Sequence, residues 1–150
     1  MNPALFSSAT PEWATPQWLF DALDKRFQFD LDVCATAENK KCACFFSPDQ
    51  NGLLQPWQTY RCWMNPPYGR EIVEWVAKAR QEAERGALVV GLLPARTDAR
   101  WWQEHVQGHA DVRFLAGRLK FGNAKSAAPF PSAVAVWWGW PVLNGRFAHV

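Results

Sequence analysis

An amide side chain, a carbonyl and an aromatic ring occur within four residues at the predicted end of a strand, in the sequence Asn65-Pro66-Pro67-Tyr68. The nitrogen of an aromatic exocyclic amine is a weak nucleophile because its lone pair is delocalised into the ring. The Asn65 Oδ1 and the Pro66 C=O could accept the two amine hydrogens and stabilise the positive charge that develops during alkylation. Tyr68 could stack on the base. The motif therefore predicts a site that holds an amine while a methyl group is transferred to it.

The motif resembles the catalytic motif of the amino-methyltransferases that use S-adenosylmethionine. Several other segments, in order along the chain, resemble one branch of these enzymes, the phage-type DNA N6-adenine methyltransferases. The four-residue motif alone also occurs in methyltransferases that act on RNA and on protein glutamine, so the ordered set of segments is the more specific signal. These segments are Thr15-Pro16, residues 29–36 with Glu38-Asn39, Gly52-Leu53 with Trp57, residues 65–69, 92–98, 117–121 and 128–133.

The resemblance implies transfer of a methyl group from S-adenosylmethionine to the N6 amino group of adenine in DNA. It places catalysis on Asn65, Pro66, Pro67 and Tyr68. Asp32, at the end of a predicted strand, would order the turn beneath the cofactor or contact its amino acid part. In the segment that contains Asp32, alanines stand where this family usually has glycines. The other predicted cofactor residues are Thr15 and Pro16 at the methionine end, Ala35 at a close backbone approach, Glu38 at the ribose and Asp49 at the adenine amine.

Each of these roles competes with an ordinary structural one. Asn65 could simply end a strand, because Asn-Pro is a common turn pair. Tyr68 could be a core aromatic, which is the fate of most aromatic residues in a chain with 10 tryptophans. Glu38 and Asp49 could be surface carboxylates. Asp30 faces the same side of its strand as Asp32 and could share its role.

Positive charge is concentrated in the C-terminal half of the chain. Residues 1–75 have a net charge of −3 and residues 76–150 a net charge of +5, which makes the second half the more suitable for contact with phosphates. The predicted DNA contacts are Arg96, Arg118 and Lys120, the last two on one face of a predicted strand. Arg100 fits a solvated helix face nearly as well.

A length of 150 residues predicts a single methyltransferase domain over residues 1–150, with residues 1–14 as an irregular arm. Target recognition would then come from loops. No apolar run approaches the length of a membrane span, so we expect a cytoplasmic protein, of phage or prophage origin by the resemblance. The spacing of the four cysteines does not fit a zinc site, which predicts reduced thiols and no metal.

Alternating helix and strand patterns predict the elements of an α/β fold. A helix should begin with Thr15 as N-cap and Pro16 as first residue and run to about Arg26, with an apolar face that includes Trp18. Another should run from about Ile72 to Gly86, and Asp98 should cap a third. Strands are predicted at residues 27–33, 60–64, 87–93, 112–115, 119–121 and 133–138, with a loop at 124–132.

These elements predict a compact, trimmed Rossmann-like methyltransferase fold with a mainly parallel central sheet. Only about thirty residues separate Asp32 from Asn65, which leaves little room for the strands and helices that usually lie between the cofactor and catalytic motifs. Two alternative functions remain open. One is methylation of RNA adenine or of cytosine N4, and the other is a catalytically inactive nucleic-acid-binding module with the same fold.

Overall fold

A computed structural model describes residues 14–122 and 124–139 of the chain, which form an α/β protein. Its helices are α1 (Gln17–Phe27) and α2 (Ile72–Glu84), with a 3₁₀ turn at Gly52–Leu54 and a π-helical segment at Trp102–Val106. The strands are β1 (Leu31–Asp32), β2 (Arg61–Met64), β3 (Leu88–Pro94), β4 (Asp111–Phe114) and β5 (Ser132–Trp137). No helix in these described ranges is long and apolar enough to cross a membrane.

The five strands form one sheet in the order β1-β2-β3-β5-β4. The β1–β2 and β2–β3 pairs are parallel, whereas β5 is antiparallel to both β3 and β4. The predicted mainly parallel sheet is therefore wrong, because the observed sheet is mixed. The physical reason is that β5 follows β4 without a crossover helix, so it returns antiparallel to β4.

Helices cover both faces of the sheet. On one face α1 packs against β2, and the Phe20 ring meets Trp63 edge-on at 5.6 Å between centroids. On the other face the Trp137 indole donates a hydrogen bond to the His105 carbonyl of the π-helical segment at 2.9 Å. The middle of β3 is fully buried, as expected for a strand covered on both sides. The sheet thus fixes the strand ends that carry the polar motifs.

The start of α1 differs from its prediction. Pro16 rather than Thr15 is the N-cap residue, and no side chain caps the helix. Thr15 does not cap because its hydroxyl is engaged elsewhere, with Asn65. The apolar face is made by Leu19, Phe20 and Phe27, while Trp18 is exposed. A helical period of 3.6 residues cannot bury Trp18 together with both Leu19 and Phe20, so the predicted burial of Trp18 is wrong.

Three other predicted elements are shorter than expected or missing. The first strand is limited to β1, because Phe27 ends α1 and the backbone at Gln28 is left-handed with φ 54°. Residues 119–121 are irregular rather than a strand. Asp98 does not cap the third helical segment, whose N-cap is Trp101. In the first two cases the apolar residues Phe27, Leu31, Leu119 and Phe121 are buried, as their spacing predicts, but the backbone is not extended throughout.

Candidate active site

The polar motifs converge at one edge of the sheet, where the three parallel strands end. In the register of these strands Asp32 pairs with Trp63, and Met64 pairs with Gly91. Asn65 follows β2 directly, and Arg96 follows β3 by two residues. Ligands of α/β proteins bind beyond the carboxyl ends of their strands. This edge, called here the carboxyl edge, is therefore the candidate site.

Asn65 is buried at the carboxyl edge and is held by the residue that precedes α1. Its side-chain Nδ2 donates a hydrogen bond of 3.0 Å to the Thr15 Oγ1, across 50 residues of sequence. Both side chains are buried, at 4% exposure. This contact joins a predicted catalytic residue to a predicted cofactor-binding residue. A buried hydrogen bond between two side chains also fixes the direction of the amide, as an acceptor for a substrate amine requires.

Tyr68 lies within an aromatic cluster. Its ring meets Phe121 and Phe130 edge-on, with centroids 6.2 and 5.5 Å away, and its hydroxyl donates to the Leu92 carbonyl at 3.2 Å. Burial raises the pKa of the Tyr68 hydroxyl, so the phenol stays neutral over the working range of pH. The hydroxyl is thus occupied by the sheet, and the part of Tyr68 that could meet a base is its ring.

Pro66 is buried and Pro67 is half-buried, so the catalytic motif runs into the protein rather than along its surface. Gly69 follows with a φ of 102°, a conformation that glycine adopts without strain. This turn leads the chain from the motif to α2. The motif is consequently held between a strand and a helix.

Asp32 is buried at the end of β1, and its carboxylate organises the turn that follows. Its two oxygens accept hydrogen bonds from the backbone N–H groups of Cys34 and Lys41, at 3.3 and 3.0 Å. Burial raises the pKa of Asp32 to about 7, against the lowering effect of these two donors. Of the two predicted roles, the geometry matches the ordering of the turn. A carboxylate with such a pKa would also be sensitive to a nearby cation.

The remaining predicted cofactor residues differ in their exposure. Pro16 is half-buried and Ala35 is buried, and the Ala35 N–H donates to the Phe46 carbonyl at 3.1 Å. Glu38 is exposed in a turn stabilised by reciprocal hydrogen bonds between Thr36 and Asn39. Asp49 is exposed in a second turn. The structure therefore brings Thr15 and Asp32 to the carboxyl edge directly, while Glu38 and Asp49 remain surface carboxylates on loops that follow β1.

A segment between β4 and β5 crosses the carboxyl edge and is called here the covering segment; the structure describes its residues 115–122 and 124–131. The Gly122 N–H donates a hydrogen bond of 2.8 Å to the Ala14 carbonyl, which ties the covering segment to the residues before α1. Four of its apolar side chains are buried, namely Leu119, Phe121, Ala128 and Phe130. The segment therefore closes over Tyr68 and forms one wall of the site.

The predicted DNA contacts lie on or beside the covering segment. Arg118 and Lys120 are exposed and alternate with buried Leu119 and Phe121, so both charges face outward although their segment is not a strand. The Arg96 guanidinium lies 5.8 Å from the centre of the Phe130 ring, which joins it to the Tyr68 cluster. Arg100 is 88% exposed and pairs with Glu104 at 4.0 Å, as on an ordinary helix surface.

Two residues at this edge were not found from the sequence. Ser132, which begins β5, is fully buried, and within the described ranges its hydroxyl has no hydrogen-bond partner. A buried hydroxyl without a partner is destabilising and marks a site that packing alone does not explain. Trp18 is 65% exposed one helical turn after Thr15. The spacing of polar residues gives no signal for Ser132. The apolar pattern of α1 predicts that Trp18 is buried, so it gives no sign that the indole is exposed.

The cysteines are all free thiols, and Cys62 is buried in β2. Burial raises the pKa of Cys42 to about 12, which makes this thiol unreactive. In the part of the chain that the structure describes, no three or more His, Cys, Asp or Glu side chains are grouped so as to hold a metal ion.

The fold and this edge define an α/β protein whose site combines a buried amide, a buried carboxylate and an aromatic cluster beyond parallel strands. Residues 5–136 match the family described as DNA N-6-adenine-methyltransferase (Dam), and the chain belongs to that family. The chain is 34% identical over 114 residues to the DNA N-6-adenine-methyltransferase of Haemophilus phage HP1, covering 74% of this chain and 66% of the relative. It is 34% identical over 109 residues to the protein of the same description from Escherichia phage T1, covering 71% and 45%. The chain thus matches less than two thirds of either relative.

Proposed function

We propose that this protein transfers a methyl group from S-adenosylmethionine to the N6 amino group of adenine in DNA, in the cytoplasm of a bacterial host. The observation that carries the proposal is the buried Asn65 amide, oriented by Thr15 at the carboxyl edge and followed by Tyr68 in an aromatic cluster. Family membership and the two phage relatives support the same activity. We further propose that the sheet is a trimmed Rossmann-like methyltransferase sheet over a single domain.

The chemistry of the side chains present fits S-adenosylmethionine. This cofactor offers an ammonium group, ribose hydroxyls and an adenine amine as donors, and the edge and its following loops offer the acceptors Asp32, Glu38, Asp49 and the Thr15 hydroxyl. Asp32 would hold the ammonium or the turn beneath it, because its carboxyl group lies at the end of β1 on this edge. When bound, the cofactor supplies an electrophilic methyl on a sulfonium. The backbone of Pro16 and of Ala35 would lie close to the bound cofactor.

The residues of the motif then act on the substrate amine. Asn65 Oδ1 and the Pro66 carbonyl would accept its two hydrogens, which frees the nitrogen lone pair and stabilises the positive charge as the new carbon–nitrogen bond forms. Tyr68 would stack on the adenine, and Pro67 would hold Tyr68 rigidly after the strand. The reaction would need positioning more than an activated nucleophile, because the amine would take the methyl directly as its bond to sulfur breaks and a neutral thioether leaves, and would later lose its extra proton to water.

The substrate must leave its duplex to reach this edge, because the Asn65 side chain is buried. Arg96, Arg118 and Lys120 would contact phosphates from beside and above the site, since Arg118 and Lys120 face outward on the covering segment. No separate recognition domain is required for such contacts.

Mass spectrometry of nucleosides tests the proposal. The purified protein is incubated with isotopically labelled S-adenosylmethionine and either duplex DNA or RNA of matched sequence, and the product is digested. We expect label in N6-methyladenine from DNA. Label in N4-methylcytosine, or only in RNA, would establish the alternative substrates. If no label enters and calorimetry shows no cofactor binding, the inactive nucleic-acid-binding module is the correct description.

A further inference from the structure

A large exposed aromatic residue lies on the helical turn that follows Thr15, the hydrogen-bond partner of Asn65. Trp18 is 65% exposed on the first turn of α1, although its neighbours Leu19 and Phe20 are buried against the sheet. An indole stabilises the core only when it is buried. Trp18 lies on the solvent side of α1, so it does not contribute to the core in this way. The proposed catalytic mechanism assigns it no role.

The position of Trp18 relative to the site is fixed by backbone and side-chain hydrogen bonds. Leu19 N–H and Phe20 N–H both donate to the Pro16 carbonyl, at 3.1 and 3.2 Å, which closes the first turn of the helix. Thr15, one turn before Trp18, is hydrogen-bonded to Asn65 at 3.0 Å. Trp18 is therefore carried by the same turn of chain that orients the catalytic amide.

The covering segment, which meets the chain just before α1, is positively charged. Ala14 and Gly122 are hydrogen-bonded at 2.8 Å, so the covering segment meets the chain just before α1. The covering segment bears Arg118, Lys120 and Lys125, all exposed, and it contains no acidic residue. Such a surface attracts a phosphate backbone. The nearby partner would thus be a nucleic acid rather than an apolar protein surface.

An adenine that enters the site leaves a gap in its duplex. Unpairing and unstacking one base costs a few kcal/mol, and several proteins that deform DNA offset such a cost by inserting an apolar or aromatic side chain. Trp18 has the required features, namely a flat apolar ring, high exposure and attachment to the turn that holds Asn65. Resting on the function proposed above, we propose that Trp18 stacks into the DNA duplex at the position vacated by the target adenine.

The experiment compares a paired with an unpaired target. We expect Trp18→Ala to lower kcat/KM on fully paired duplex by roughly ten- to a hundredfold, since stacking of a base on an aromatic ring has about that effect. The loss should shrink to less than about threefold when the target adenine is left unpaired, because extrusion then costs little. Trp18→Phe, which keeps a smaller ring, should have a kcat/KM on paired duplex between those of the unaltered protein and Trp18→Ala.

Phe114→Ala is the matched control. Phe114 is 64% exposed, nearly the same as Trp18, but lies on β4 at the opposite edge of the sheet from β1. We expect its kcat/KM ratio between paired and unpaired targets to equal that of the unaltered protein. An equal loss on both targets for Trp18→Ala, or no loss on either, would overturn the proposed insertion.

A binding measurement separates this inference from the proposed activity. The unaltered protein should bind a duplex with a single abasic gap several-fold more tightly than the intact duplex, and Trp18→Ala should lose that preference. If the unaltered protein methylates no DNA, the proposed function fails, yet the binding preference still decides the role of Trp18. A preference that survives in Trp18→Ala would contradict that role.

Discussion

Asn65 makes a hydrogen bond to Thr15 and is proposed to contact the substrate amine, and a single substitution of Asn65 removes both interactions. Asn65→Ala and Thr15→Val both remove the 3.0 Å hydrogen bond between the side chains, but only the first removes the amide. We expect Asn65→Ala to lower the single-turnover methylation rate about a hundredfold or more. Thr15→Val should lower it less than about tenfold, through a less well-oriented amide.

Both variants should lose a similar free energy of unfolding, about 1 kcal/mol, because they lose the same hydrogen bond. Chemical denaturation provides this measurement alongside the rates. If the two rates fell equally, the contribution of Asn65 would be structural orientation rather than contact with the amine.

Asp32 makes the free protein sensitive to pH near neutrality. Its pKa of about 7 lies above the ordinary value of 3.8, so the folded chain holds this proton more tightly than the unfolded chain. Stability of the cofactor-free protein should consequently fall as pH rises from about 4 to about 7. A bound ammonium group favours the ionised carboxylate, so cofactor affinity should rise over the upper part of that range and level off above it.

Asp32→Asn is the variant that checks this dependence, since an amide does not titrate. Calorimetric titration with S-adenosylmethionine at several pH values should give a weaker and flatter affinity profile than that of the unaltered protein. An unchanged slope in the variant would assign the pH dependence to another group.

At the scale of elements, the apolar spacing of the sequence located α2, β2, β3 and β5 within one or two residues of their observed bounds. These elements bury a continuous face, and burial is what the spacing of apolar residues records. The spacing could not distinguish an irregular but buried segment from a strand, as residues 119–121 demonstrate. It also could not reveal that β5 lies between β3 and β4, because pairing partners are set by long-range packing.

The α2 helix contains a buried carboxylate that links it to the chain before β2. Glu82 is fully buried, accepts a hydrogen bond from the Trp57 N–H at 3.1 Å and pairs with Lys78 at 2.9 Å. We expect Glu82→Ala to lower the free energy of unfolding by about 3 kcal/mol, because the half-buried Lys78 cation and a buried N–H lose their partner. Glu84→Ala on the same helix removes only an exposed ion pair with Arg80, so its effect should stay below about 0.5 kcal/mol.

Urea denaturation of the two variants under identical conditions measures this difference. Comparable losses in both would mean that the Glu82 cluster contributes no more than a surface pair. The comparison is direct because both residues are glutamates within one turn of each other on α2.

At the scale of the whole molecule, all 14 acidic residues lie at or before Asp111, whereas Arg118, Lys120 and Lys125 follow in the covering segment. We expect Arg118→Ala and Lys120→Ala each to weaken DNA binding for all sequences and to reduce the slope of log affinity against log salt concentration by about one. The control is Lys25→Ala, an exposed cation in the last turn of α1, which should leave the slope unchanged. Fluorescence anisotropy across a series of salt concentrations provides the slopes. Equal slopes in all three variants would mean that Arg118 and Lys120 are ordinary surface charges that do not contact phosphates.

Much of the candidate site was predictable because its residues follow strand ends directly. Asn65 and Asp32 lie where the sequence placed them, at the carboxyl edge. The contact between Thr15 and Asn65 was not predictable, since it joins residues 50 apart in sequence and depends on how α1 packs. The closure of Tyr68 by Phe121 and Phe130 depends likewise on the path of the covering segment.

The antiparallel pairing of β4 with β5 sets where the covering segment begins and ends. Both of its ends are anchored in one antiparallel pair, where Phe114 pairs with Ala133. Its exposed positions can consequently change without shifting the register of any other strand, whereas the buried Leu119, Phe121 and Phe130 must stay to form the wall over Tyr68. Among phage relatives, exchanging the exposed residues of this stretch between scaffolds should therefore transplant the affinity for DNA and its salt dependence, while the methyl-transfer chemistry remains with the recipient.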